Sequence, residues 1–259
     1  MTRSVGVLAV LGIALVVASC GDGGEDPGGE SSGGNPAGDG GGPTSGGGDP
    51  GSGGSPGPTV PFGDEHSGIA TYYNATGEGA CMFDASPNDM NVTAINAEEW
   101  EGSAWCGTCI DVTGPSGSVR VRVVDLCPEC NAGHLDLSRE AFAQIAAMEL
   151  GRVDITWQMV ACDVTGPVSY RYKDGANQWW TAVQVLNHRL PIETMEYSKD
   201  GGSTWEAMER MDYNYFLTGS GFGTGATQVR ITAIDGQTLV DELPEVQEYL
   251  VTEGSAQFQ

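Results

Sequence analysis

Two CxxC pairs, Cys106-Gly-Thr-Cys109 and Cys127-Pro-Glu-Cys130, flanked by Cys81 and Cys162, constrain this chain more than any other feature of its sequence. Six thiols can form a covalent frame or part of a metal site, and the compartment decides between the two. Residues 1–19 carry a basic Arg3, an apolar run from Val5 to Val17 and small residues at the end, the pattern of a secretory signal. The run is too short for a membrane span. The mature chain is therefore expected outside the cytoplasm, where reducing pools do not reach it and paired cysteines oxidise. Three disulfides are the simpler outcome for an even number of thiols there. The alternative is a four-thiolate zinc ribbon built on the two CxxC pairs, which would leave Cys81 and Cys162 to pair alone. No metal and no organic cofactor is expected.

The end of the signal, Val17-Ala18-Ser19 followed by Cys20, resembles the lipobox of bacterial lipoproteins. That resemblance implies cleavage before Cys20, acylation of its thiol, and a secreted protein anchored by lipid to the cell surface or outer membrane. An ordinary secretion signal with an incidental Cys20 is the alternative. Residues 20–62 are a different material: 18 of the 40 glycines fall between Gly21 and Val60, with Ser, Pro and Asp filling most of the rest. Such a segment has little to bury and is expected to be a disordered tether, roughly 35 Å long by random-coil scaling. A composition change near Val164-Thr165-Gly166-Pro167 divides the remainder into two domains, residues 63–165 and 166–259. Of the formal net charge of -24, residues 67–259 hold 27 acidic and 10 basic side chains, a balance of -17. So acidic a surface argues against nucleic acid and against anionic polymers, and leaves neutral glycans as partners.

Hydrophobic periodicity supplies the elements. In residues 118–125, Val119, Val121 and Val123 share one face and Arg120 and Arg122 the other, which puts Asp125 where a strand enters a loop. Ser138 is a good helix N-cap for REAFAQIAAMEL, which places Phe142, Ile145, Ala146 and Glu149 on one side and stops at Gly151. Val153, Ile155, Trp157 and Met159 alternate as a further strand. Many strands with one short helix predict a small barrel. From Val168 the runs SYRYK, TAVQVLN, TMEYS, TWEAME and QVRITAI, separated by turns such as KDGAN and SKDGGS, predict a β-sandwich. Trp179 and Trp180 are adjacent and would point to opposite faces of a regular strand, as core residues, unless the preceding KDGANQ turn twists both rings outward. Trp205 is expected in the core, while Tyr215 and Phe216 are undecided.

For chemistry, Asp136 stands between Leu135 and Leu137, and a carboxyl among apolar neighbours has the raised pKa that suits a proton donor. The structural alternatives are that Asp136 caps the following helix and that Asp125 caps the loop it opens. His134 is expected to be a solvated loop residue.

GIATYY (residues 68–73), CGTCIDVTGP (106–115), VRVVDLCPECNAGHLDLS (121–138), QWWTAVQVLNHRLPI (178–192) and MDYNYF (211–216) together resemble the microbial expansins, in order along nearly all of residues 67–259. The resemblance implies a mostly β protein: a six-stranded double-psi β-barrel related to family-45 endoglucanases and barwin, followed by an immunoglobulin-like cellulose-binding sandwich. By analogy with barwin-like members it pairs Cys81 with Cys106 and Cys109 with Cys162, leaving Cys127 with Cys130. It maps the essential acid onto Asp136, a second aspartate onto Asp125 and a sugar-positioning threonine onto Thr71. It makes Trp179, Trp180 and Tyr213 a flat platform for a glucan, with Lys173 beside it. Relatives often carry a tyrosine two residues after the second aspartate, where this chain has Cys127. In family-45 hydrolases the base lies close to the first strand, yet residues 68–77 contain no Asp or Glu. The implied function is binding of cellulose or a related neutral wall glucan and loosening of its contacts without net hydrolysis, by a monomer that touches membrane only through its lipid. The alternatives are a lytic transglycosylase or endoglucanase-type enzyme with Asp136 as acid, and a carbohydrate-binding surface lipoprotein without activity.

Overall fold

The alternating runs form strands, and six of them close on themselves. The computed structural model describes residues 62–259, so the expected secretory signal, Cys20 and nearly all of the expected tether lie outside the described residues. Strands β1 (His66–Tyr73), β2 (Val92–Asn96), β3 (Cys109–Gly114), β4 (Gly117–Cys127), β5 (Leu135–Ser138) and β6 (Val153–Val160) make a closed barrel in the order β1-β5-β2-β4-β3-β6. The β1–β5 and β2–β4 pairs are parallel and the others antiparallel. This crossed order is the double-psi barrel. Val121, Val123, Leu135, Leu137 and Trp157 fill its interior, as their alternation predicts. Ser138 caps α1 (Arg139–Ile145) by accepting a hydrogen bond from the Ala141 amide, and Phe142 and Ile145 pack on the barrel. The helix stops earlier than its sequence pattern suggests: Ala146 is extended, and Glu149 sits exposed in a following 3-10 turn.

One irregularity matters for function. Along β4, Val92 pairs with Arg122 and Thr93 with Val123, but Ala94 then pairs with Asp125, because Val124 is an extra residue in the strand. Strict alternation would send the Asp125 side chain inward after Val121 and Val123. The bulge buries Val124 completely instead and turns Asp125 to the outer face.

Nine further strands follow: β7 (Ser169–Tyr172), β8 (Thr181–Leu186), β9 (Ile192–Ser198), β10 (Glu206–Ala207), β11 (Glu209–Met211), β12 (Tyr215–Thr218), β13 (Thr227–Ala233), β14 (Thr238–Leu243) and β15 (Val251–Glu253). They form two sheets, β10-β9-β13-β14 and β11-β12-β8-β7-β15, which share one core of Tyr170, Val183 and Val185 against Met195, Val229 and Ile231. This is the expected immunoglobulin-like sandwich. Phe216 is buried in that core, while Tyr215, also buried, lies on the opposite face of β12 beside Tyr213 and Lys173. Trp205 is not part of that core: its half-exposed ring is covered by the Arg230 guanidinium at 4.5 Å.

Three disulfides link Cys81 to Cys106, Cys109 to Cys162 and Cys127 to Cys130, so each of the four cysteines a zinc ribbon would need is taken up in a disulfide. The barrel and the sandwich meet across a polar seam. Buried Gln184 and Asn214 both donate to the Cys81 carbonyl, at 2.8 and 3.0 Å. Arg171 reaches over to grip the Asp84 carboxylate and the Met82 carbonyl. Buried polar groups satisfied in this way hold two surfaces in one relative position, because any slippage strands a donor.

Candidate functional site

The pairing register sets four residues in a row across adjacent strands. Thr71 on β1 pairs with Asp136 on β5, Asp136 with Ala94 on β2, and Ala94 with Asp125 on β4. Residues opposite one another in a sheet project to the same face, so Thr71, Asp136 and Asp125 share the barrel's outer surface. The two aspartates flank Ala94, two strand spacings or roughly 10 Å apart at their Cα atoms.

Asp136 is half-buried. Thr71 Oγ1 donates to its Oδ1 at 2.5 Å and lies 2.8 Å from His134 Nε2. Since the threonine proton goes to Asp136, His134 must supply the proton of the second bond from Nε2. Burial raises the Asp136 pKa, and Glu129 and Asp125 raise it further, while the Thr71 bond and His134 hold it down. Burial lowers the pKa of His134, against the pull of Asp136 and with Arg152 adding to the lowering. The arrangement can therefore keep a carboxyl protonated more readily than usual and orient it through one hydroxyl. His134 is thus not the solvated loop residue expected; the parallel β1–β5 pairing brings the loop before β5 beside Thr71.

Asp125 is anchored differently. Its Oδ1 accepts from the Ala80 and Leu126 amides, at 2.7 and 2.9 Å. Gly79 is required here, because a Cβ would fall 2.4 Å from the Asp125 carboxyl carbon. Asp125 thus stands within β4, which runs on to Cys127, rather than at the mouth of a loop it caps, and the loop it holds is that of Gly79 and Ala80.

Tyr73 escapes the motif reading. It lies two residues beyond Thr71 and so on the same face, and its ring packs on the cluster of Ala94, Cys127 and Cys130. Its hydroxyl is buried without a hydrogen-bond partner among the described residues. Burial, then Asp125 and Asp136, disfavour its ionisation. The alternation in GIATYY is the signal that could have found it. With Cys127 in a disulfide, Tyr73 is a phenol close enough to feel both carboxylates.

On the sandwich, Trp179 is 71% exposed and Trp180 half-buried. The Asn177 side chain accepts from both tryptophan amides and its backbone bridges to Trp180, which pins the turn. Gly221 packs so tightly under this turn that a Cβ would lie 2.1 Å from the Gln178 carbonyl oxygen. The pair is therefore displayed rather than buried as a core pair. Tyr213 lies in the β11–β12 turn of the same sheet, half-exposed, with Lys173 Nζ 5.7 Å from its ring centre. Lys173 is thereby joined to Tyr213.

A double-psi barrel carrying an outward acid, followed by a sandwich with exposed tryptophans, defines a class of two-part β protein. A family profile described as "Lytic transglycolase" matches residues 65–157. Over 199 residues the chain is 41% identical to Expansin-YoaJ of Bacillus subtilis, covering 75% of this chain and 84% of that protein. It is also similar to the apo crystal structure of the Clavibacter michiganensis expansin, at 34% identity and a TM-score of 0.71, covering 76% of this chain and 98% of the other. A point variant of that protein solved in complex with cellohexaose matches at 33% identity, with the same TM-score and coverage. The chain belongs to the microbial expansins.

Proposed function

We propose that this protein binds cellulose or a related neutral β-linked glucan and loosens polymer contacts without net hydrolysis. The observation that carries the reading is the single desolvated acid in the row Thr71–Asp136–Ala94–Asp125. Hydrolysis needs a second carboxylate free to activate water or attack the sugar. Strand β1, where related hydrolases keep theirs, is acid-free, and one carboxylate oxygen of Asp125, Oδ1, is committed to two backbone amides. Binding is supported by the exposed Trp179 turn and by the cellohexaose complex of the Clavibacter expansin, since pyranose faces stack on aromatic rings. Residues 63–165 act as the barrel domain and residues 166–259 as the carbohydrate-binding domain. Residues 1–19, Cys20 and the glycine-rich tether serve to export this monomer and hold it near the cell surface.

In action, a glucan lies along both parts, held by Trp179, Trp180 and Tyr213 while Asp136, oriented by Thr71, hydrogen-bonds its sugar oxygens. The test is mechanical weakening of cellulose paper assayed alongside reducing-sugar release. Weakening without sugar supports the reading. Sugar that accumulates with protein and time and disappears in Asp136→Asn makes the protein a glucanase with Asp125 completing the pair.

A second reading, a lytic transglycosylase, is favoured by the family profile over the barrel and by the single acid, because an internal sugar hydroxyl can replace water. Anhydro-sugar products from isolated peptidoglycan sacculi would establish it.

A further inference from the structure

Six non-glycine residues have positive φ among the described residues, and the two with large, mostly non-polar side chains are Met82 (φ 53) and Tyr249 (φ 63). Left-handed backbone is unfavourable for such residues and persists where the surroundings hold it. Both are also exposed, 41% for Met82 and 62% for Tyr249. They come from distant parts of the sequence, one from the barrel and one from the loop before β15, yet both line the same cleft of about 420 Å3. A cleft of that size is in the ordinary range for small ligands, roughly 300–1,000 Å3.

Its position is informative. Gly79, on the barrel wall, touches the Asp125 carboxyl, and Lys173, on the sandwich wall, sits over Tyr213. The cleft thus occupies the interval between the barrel's carboxylates and the platform. The Tyr249 backbone is fixed, its amide donating to the Tyr172 carbonyl at 3.1 Å, and the nearby Asp174 carboxylate disfavours ionisation of its hydroxyl. The neighbouring Glu248 accepts from the Gly175 amide at 3.0 Å, so this loop is fastened to the turn that carries Trp179 and Trp180. Three carboxylates, Glu78, Asp84 and Asp174, line the cleft against Lys173 and Arg171, and Arg171 is already paired with Asp84, so the lining disfavours an anionic ligand and offers acceptors to the hydroxyls of an uncharged chain.

We propose that the cleft between Met82 and Tyr249 is an additional sugar subsite, in which the Tyr249 ring stacks on a pyranose of a β-linked glucan as the chain passes from the tryptophan platform to the barrel. This rests on the glucan-binding reading and adds a residue to it. The subsite makes the two parts one continuous binding track and ties affinity to chain length.

Calorimetric titration of the full chain with cellohexaose and with cellotriose tests it. Tyr249→Ala weakens cellohexaose binding roughly fivefold to tenfold, the loss of about one stacked ring. Cellotriose, too short to span platform and cleft, is weakened far less, and Tyr249→Phe keeps wild-type affinity. In the unaltered protein, the methyl resonance of Met82 shifts at saturating cellohexaose. Wild-type affinity in Tyr249→Ala, or an unmoved Met82 methyl, overturns the subsite. If Trp179→Ala loses cellohexaose while Tyr249→Ala does not, the platform stands and the cleft falls. If the unaltered protein binds no cellohexaose, both fall together.

Discussion

His188 makes the seam between barrel and sandwich sensitive to acid. It is buried, its Nδ1 donates to the Leu190 carbonyl at 2.9 Å, and its Nε2 faces Gly107 of the barrel so closely that a Cβ there would approach to 2.5 Å. Burial pushes its pKa down to about 4 from the ordinary 6.5, with the guanidinium groups of Arg210 and Arg122 adding to the drop and the Leu190 bond opposing it. In the unfolded chain the imidazole takes a proton near its ordinary pKa, whereas the folded protein refuses it until much lower pH. The stability that neutral His188 provides is therefore complete above about pH 6.5 and lost as pH falls toward about 4. At about 1.4 kcal/mol for each pH unit over this window, the loss reaches roughly 3 kcal/mol, an appreciable part of a typical stability of 5–15 kcal/mol. His188→Asn cannot titrate and offers a side-chain amide for the same carbonyl. Urea unfolding at several pH values across the window should show the wild type losing roughly 3 kcal/mol more than the variant. Equal pH slopes in the two proteins would refute the reasoning.

Asp136→Asn should abolish paper weakening while leaving cellulose affinity nearly unchanged, measured by a pull-down on insoluble cellulose. The same variant should melt higher than wild type at neutral pH. Burial raises the folded-state pKa of Asp136, so the wild type carries an unfavourable charge there, and the difference should vanish in scanning calorimetry below about pH 4 as the carboxyl gains its proton. Replacing Trp179, Trp180 and Tyr213 together with Ala should eliminate binding to insoluble cellulose with the fold intact by circular dichroism; unfolding would mean the rings are structural. Removing the Cys109–Cys162 bridge, which spans 53 residues, should cost about 4 kcal/mol by the loop-entropy relation, read as a lower urea midpoint in the double Ala variant.

The local sequence determined a good deal. Leu135 and Leu137 on either side of Asp136 commit the acid to the outer face of β5 whatever its neighbours, because a strand's side chains alternate. The KDGANQ turn likewise frees Trp179 and Trp180 from a regular strand, since Asn177 can satisfy both amides locally. The double-psi order and the cysteine pairing came from resemblance rather than from periodicity, which says which residues form strands and nothing about which strands meet. Tertiary structure alone decided the rest. Asp125 faces outward only because β4 takes an extra residue, Val124, to keep register with β2, a strand far away in sequence. His134 joins Thr71 and Asp136 only because β1 and β5 pair in parallel, and Trp205 stays out of the core because Arg230 from β13 covers it at the surface. In each case the deciding partner lies far along the chain, and the register between such strands is set by packing the whole barrel or sandwich at once.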